Sequence, residues 1–222
     1  MSLMIFNGSP RGVNSNSNVI ASWFNKGFVE TTTVYLNKVK QHETYLKESK
    51  KFEKLLFVFP LYVDGMPGQV KYFFEQMNTQ KEIFKNKKVT FIIHSGFAEA
   101  IHSKNLEKYL HRFTDLMSMK NYGVIIIPGS EGFRLMHPKM TDKKAKKVAG
   151  IGKMYRLNKP FPDAVKESLE GPLVQSKSQR ILFKILSLVG LTNFYWNSQL
   201  KKNNAYENRF DAPYSKSFGM DT

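Results

Sequence analysis

The chain opens with a short apolar run, Leu3–Asn7, then a polar stretch, then Ile20, Trp23, Phe24, Gly27 and Phe28 at helical spacing. A strand, a loop and a helix of about three turns account for that pattern. The alternation recurs. Thr32–Leu36 and Leu55–Phe59 read as a second and a third strand, the third apolar throughout, as a strand covered on both faces should be. Pro67 suits a first helical turn, and Val70, Phe73, Phe74 and Met77 then share one face. Val89–Ile93 is the fourth strand and Leu106, Leu110, Phe113 and Met117 mark the helix after it. Val124–Ile127 is the fifth strand, stopped by Pro128-Gly129. Strands separated by helical segments imply βαβ units and a mostly parallel, open, doubly wound sheet. Ligands of such sheets lie outside the carboxyl ends of the strands, so the loops after strands one, three and four are where chemistry is expected.

After Gly132 the pattern changes. A lysine-rich helical stretch occupies about 141–157, and Pro160, Pro162, Gly171 and Pro172 then break the chain into an irregular connection. The expected division is an α/β domain over 1–158 and a basic helical extension over 159–222, packed on that domain or on a partner subunit. Ile181–Leu191 is apolar nearly all round, interrupted by Lys184, Ser187 and Gly190, and Phe194-Tyr195-Trp196 follows. The run is too short to cross a bilayer. It reads as a buried or partner-facing helix, with a membrane-surface segment as the other reading. Apolar surface beyond what the sheet needs leads to the expectation of a homodimer in which this segment crosses the partner.

Composition narrows the classes. The 222 residues suffice for one core, and 41% apolar with 14% aromatic residues exclude a disordered chain. Without cysteine there are no disulfides, thiolate metal sites or cysteine nucleophile. No signal-like start and no long apolar run is read, so a cytoplasmic protein without a transmembrane segment is expected. The net charge is +16, with 18 basic and 11 acidic residues in 1–136 and 16 and 7 in 137–222. Of the 34 cations 28 are lysines, which favours a solvated surface attracting small anions, and no nucleic-acid partner is expected.

Three loops carry the candidate chemistry. Asn7–Asn18 lies between a strand and a helix and holds Ser9, Arg11, Ser15, Asn16 and Ser17. Unpaired N–H groups at a helix start, hydroxyls and one arginine suit a terminal phosphate, although a plain N-cap and turn use the same residue types. It is neither a Walker loop nor a GxGxxG fingerprint. Pro60-Leu61-Tyr62-Val63-Asp64-Gly65-Met66-Pro67 offers an aromatic and apolar rim for a flat ligand, or an ordinary turn. His94-Ser95-Gly96-Phe97-Ala98-Glu99 follows the fourth strand; His94 reads as hydrogen-bonded rather than as a general acid. No Ser–His–Asp set, metal-ligand spacing or paired carboxylate is present, so no catalytic side chain is named and a cofactor is expected to carry any reaction.

Taken together, Gly8-Ser9-Pro10-Arg11…Ser15-Asn16-Ser17, Pro60–Pro67 and Ser95–Glu99 resemble the NADPH-dependent FMN reductase family, a flavodoxin-like group of NAD(P)H-dependent oxidoreductases, over roughly residues 2–136. Asn193–Asn197, Leu200–Asn203 and Arg209–Asp211 are similar to a tail in some flavodoxin-like members. The cysteine cluster of the iron–sulfur members is absent. The resemblance implies a five-stranded flavodoxin-like sheet of order 2-1-3-4-5 and bound FMN. Its phosphate would meet Ser9, Arg11, Asn16 and Ser17, with Ser15 beside them. Its ring would lie between Pro60, Leu61, Tyr62, Val63, Asp64 and Gly65 on one side and Ser95, Gly96, Phe97 and Glu99 on the other. The implied activity is FMN-dependent transfer of reducing equivalents from NADPH or NADH to a quinone, nitroaromatic, flavin or similar small-molecule acceptor. The alternative is a flavodoxin-type electron carrier without turnover of its own.

Overall fold

The computed structural model describes residues 2–28, 30–188, 190 and 193–212. Val189 and Leu191 of the apolar run lie outside the described residues. The elements run β1 (Ser2–Asn7), α1 (Asn16–Asn25), β2 (Glu30–Tyr35), α2 (His42–Ser49), β3 (Lys54–Pro60), α3 (Gly68–Thr79), β4 (Lys88–His94), α4 (Lys104–Leu116), β5 (Lys120–Ile127), α5 (Pro138–Arg156), α6 (Asp163–Glu170), α7 (Lys177–Leu188) and α8 (Phe194–Lys202). The five strands form one parallel sheet in the order β2-β1-β3-β4-β5. Met1–Val174 and Gln175–Thr222 are two compact units. Among the described residues no helix is long and apolar enough to cross a membrane.

Strand periodicity divides the core of the first unit. Met4, Phe6, Phe57, Phe59 and Phe91 point to the face covered by α2, α3 and α4. Leu3, Ile5, Leu56, Val58 and Ile92 point to the face covered by α1, α5 and α6. Phe6 and Phe57, in adjacent strands, stack with centroids 4.4 Å apart. The inner strands β1 and β3 are thus apolar on both sides, as a doubly covered sheet demands.

Three elements differ from the pattern-based expectation. Helix α1 ends at Asn25, short of Phe28, because Gly27 and Gly152 bring its end against α5. Helix α2 presents Tyr45 and Leu46 to the core from an otherwise polar segment. The Pro160–Pro172 connection contains α6, whose Leu169 packs with Phe161 in the core that covers β5.

Helix α5 is fixed from beneath. Lys54, at the start of β3, is buried and its Nζ donates to the carbonyls of Tyr155 and Arg156, each at 2.6 Å. Both carbonyls belong to the last helical turn, at the negative end of the dipole, and Tyr155 O also accepts the Asn158 N–H at 3.1 Å. The Tyr155 hydroxyl donates to Leu55 O at 3.1 Å. Where α1 meets α5, a Cβ on Gly152 would stand 2.2 Å from Phe24 O, whereas one on Gly150 would meet nothing within 4 Å. Gly152→Ala is therefore expected to lose about 1–3 kcal/mol by overpacking, and Gly150→Ala to gain about 0.5–1 kcal/mol from helix propensity. Urea unfolding of the two variants checks the opposite signs.

Candidate functional site

The loop after β1 is organised by a buried asparagine. Asn7 Nδ2 donates to Gly12 O and to Ser15 Oγ, both at 3.3 Å, while its Oδ1 accepts the Ser9 N–H at 3.0 Å. Gly12 takes the left-handed φ of +56° that the tight turn needs. Gly8 passes so close to α3 that a Cβ would lie 2.4 Å from Val70 Cγ2. Ser15 then caps α1, accepting the Asn18 N–H at 3.1 Å.

The loop after β3 begins in the sheet, where the Leu61 N–H donates to His94 O at 2.8 Å. Tyr62 and Gly65 exchange two backbone hydrogen bonds of 2.9 Å, and Val63 and Asp64 between them have φ of +49° and +57°. Positive φ at both central residues is a type I′ turn, disfavoured for a β-branched residue. Asp64 Oδ1 stands 3.2 Å from Nδ1 of His102, whose ring stacks on Phe97 at 4.3 Å. Glu99 Oε2 lies 3.9 Å from His102 Nε2. His102 therefore stitches the loops after β3 and β4, a role nothing in its local sequence signals.

His94 ends β4 and is buried. Its Nε2 meets Ser17 Oγ at 2.7 Å and its Nδ1 meets Ser130 Oγ at 2.8 Å. Ser130 Oγ donates to the Ser95 carbonyl at 3.0 Å. That carbonyl fixes the order of protons: Nδ1–H donates to Ser130, and Nε2 accepts from Ser17. Burial holds the imidazole pKa down to about 3, so the ring is neutral. One ring thus ties the first turn of α1 to the loop after β5. The Asn16 Oδ1 adds a second tie, accepting the Arg134 N–H at 2.9 Å.

These loops enclose a cleft of about 160 Å³ at the carboxyl edge of the sheet, lined by Ser9, Arg11, Ser15, Asn16, Pro60, Leu61, Tyr62, His94, Ser95, Gly96, Ser130 and Glu131. Of the residues named from sequence, Ser17, Val63, Asp64, Gly65, Phe97 and Glu99 stand outside this lining. Ser17 is buried with its proton directed to His94, and Val63 projects wholly into solvent. Ser130 and Glu131 come from the loop after β5, which sequence reasoning passed over although Pro128-Gly129 marks a strand end.

Hydroxyl protons are unevenly available. Ser15 donates its proton to Gly12 O. Ser9 Oγ accepts the Arg11 N–H at 3.3 Å, and its own proton has no acceptor among the described residues. Arg11 is exposed and forms no ion pair among the described residues. With the first N–H groups of α1, these donors suit an anion at one end of the cleft. Pro60, Leu61 and Tyr62 supply a flat apolar end.

The chain is a doubly wound parallel α/β protein with a polar loop after β1 and an apolar rim after β3 at the carboxyl edge of its sheet. A family model described as flavodoxin-like fold matches residues 1–151, and the chain belongs to that family. No curated protein matches. Among solved structures, the chain is similar to the Trp repressor binding protein from Bacillus subtilis, with 19% identity and a TM-score of 0.55 over 66% of this chain and 96% of that one. It is also similar to an NADPH-quinone reductase from P. pentosaceus, with 15% identity and a TM-score of 0.55 over 70% and 97% of the two chains. An FMN-dependent NADH-azoreductase from Bacillus anthracis in complex with FMN matches with 15% identity and a TM-score of 0.51 over 71% and 99%. These likenesses concern the fold.

The depressed pKa of His94 gives a stability prediction with a definite sign. The unfolded chain takes up a proton at this residue below about pH 6.5, whereas the folded chain refuses it until about pH 3. Stability is therefore lost as pH falls through that window, by about 1.4 kcal/mol per pH unit from this group alone. His94→Gln should be less stable at neutral pH yet show a shallower loss between pH 6 and pH 4, by about that slope. Urea titrations at several pH values test it; parallel slopes would mean that the folded protein protonates the ring.

Proposed function

We propose that this chain is an FMN-dependent reductase that takes reducing equivalents from NADH or NADPH and delivers them to a small acceptor, a quinone, nitroaromatic or flavin. The observation that carries the reading is the cleft itself: Arg11, without an ion pair among the described residues, the Ser9 hydroxyl and the start of α1 at one end, and Pro60–Tyr62 beside the Ser95-Gly96 backbone at the other. The enclosed volume, about 160 Å³, is below the roughly 300–1,000 Å³ of pockets that bury a whole small molecule. It suits a phosphate and part of its chain, with a ring left at the open rim. The FMN complex of the azoreductase relative and the quinone reductase relative support the same reading.

The donor set fits the phosphate of FMN. Arg11 and Ser9 would hold it, with Asn16 and the N–H groups at the start of α1, while Pro60–Gly65 and Ser95–Glu99 would border the ring. When bound, FMN supplies the two-electron chemistry that the side chains lack. The chain's own contribution is binding and orientation. Arg11 offers a charge-assisted hydrogen bond, and Asn7 and neutral His94 hold the loop geometry without adding charge beneath the site. The Tyr62–Gly65 turn fixes the height of the rim, and the Asp64–His102 contact ties it to the following loop. No catalytic side chain is assigned.

Arg11→Ala should weaken FMN by about 1.5–3 kcal/mol and riboflavin much less, because riboflavin lacks the phosphate. Isothermal titration with both ligands checks this; equal losses would remove Arg11 from the phosphate site. Mixing the FMN-loaded protein with NADH or NADPH tests the activity. Rapid loss of the oxidised flavin absorbance is expected, and FMN binding without that loss would leave an electron carrier instead.

A further inference from the structure

Helix α7 contains no buried residue, and Ile181, Leu182, Phe183, Ile185 and Leu188 are each more than half exposed, from 53% to 88%. At about 100° per residue these side chains and Leu186 occupy an arc of about 220°. The remaining sector holds Lys177, Arg180, Lys184 and Ser187, and the helix has no acid. The polar residues within the arc, Ser178 and Gln179, both belong to the first turn. Helix α8, in the same unit, exposes Trp196 at 58% and ends on Lys201 and Lys202.

We propose that the C-terminal unit binds an anionic lipid surface, with α7 lying in the headgroup plane, its apolar arc toward the acyl chains and its cations against lipid phosphates. Two observations favour this occupant over a second copy of the chain. A helix paired with one neighbour buries a narrower stripe than this arc, whereas a helix sunk in an interface is wetted by apolar groups on most sides. The polar sector carries three cations and no acid on a chain of net charge +16, so a second copy brings like charge while anionic headgroups attract it. Twelve residues of helix extend about 18 Å, against a hydrocarbon core of about 30 Å, so the segment lies on a bilayer and does not span it. The exposed indole of Trp196, in the helix that follows in the chain, is suited to the same interface. The inference is independent of any flavin.

The test uses the full chain and two sets of vesicles, phosphatidylcholine alone and phosphatidylcholine doped with phosphatidylglycerol. At low salt the protein should sediment with the doped vesicles at least about tenfold more strongly than with neutral ones, and added salt should release it. Tryptophan emission should shift to the blue on binding in the wild type and not in Trp196→Phe. Leu182→Glu/Ile185→Glu places charge at the centre of the arc and should reduce sedimentation about tenfold or more. Both positions are exposed, so its thermal unfolding should match the wild type. No sedimentation with doped vesicles at low salt overturns the proposal. So does undiminished sedimentation of the double variant, which would assign the binding to lysines of the first unit. A concentration-dependent dimer that the double variant dissociates, with no vesicle binding, would make a second copy the occupant and overturn it equally.

Discussion

Parallel pairing is the constraint from which the site follows. Because all five strands run the same way, their carboxyl ends share one edge, and four of the loops leaving it line a single cleft. The pairing in turn depends on covering both faces. Met4 and Phe6 on one side of β1 and Leu3 and Ile5 on the other are all buried, the first face under α2, α3 and α4 and the second under α1, α5 and α6. Polar groups at the strand ends are then forced into a confined space where each must find a partner. Asn7 and His94, each the last residue of its strand, satisfy that demand by bonding to the loops instead of to water.

Patterning made the sheet legible because the inner strands are apolar on both faces. Leu55–Phe59 and Val89–Ile93 have no other reading, and the order 2-1-3-4-5 that the family resemblance implied is the order found. Segments at the margins were less legible. Lys120–Gly123 carries turn chemistry, yet it extends β5 by four residues, with Tyr122 as the extra residue opposite the Val89–Thr90 step of β4. Helices α2 and α6 bury only a few side chains each, too few for helical periodicity to stand out from charge and proline.

At the cleft, position was more legible than bonding. That loops after strands one, three and four should lie together follows from topology alone. Which hydroxyl still owns a free proton does not, because it depends on contacts such as Ser17 with His94, 77 residues apart in the chain. Sequence equates Ser9, Ser15 and Ser17 as donors. The folded protein distinguishes them, two being committed to internal acceptors. The contribution of the loop after β5 was hidden for the same reason: Ser130 acquires meaning only through a histidine 36 residues earlier.

The rim shows a different division of labour. Beneath the cleft, buried side chains hold the loops; at the rim, where solvent competes for every side-chain hydrogen bond, the backbone does more of the holding. Tyr62 and Gly65 close the type I′ turn through two main-chain bonds, and these keep Val63 in a left-handed conformation that costs on the order of 1–3 kcal/mol. The side-chain contact there, Asp64 with His102, is solvated and contributes little rigidity by itself. Rigidity therefore decreases outward from Asn7 and His94 to Val63. An anion placed at Arg11 meets a loop already fixed from below, whereas a flat group at Tyr62 meets a turn held chiefly by its own two ends.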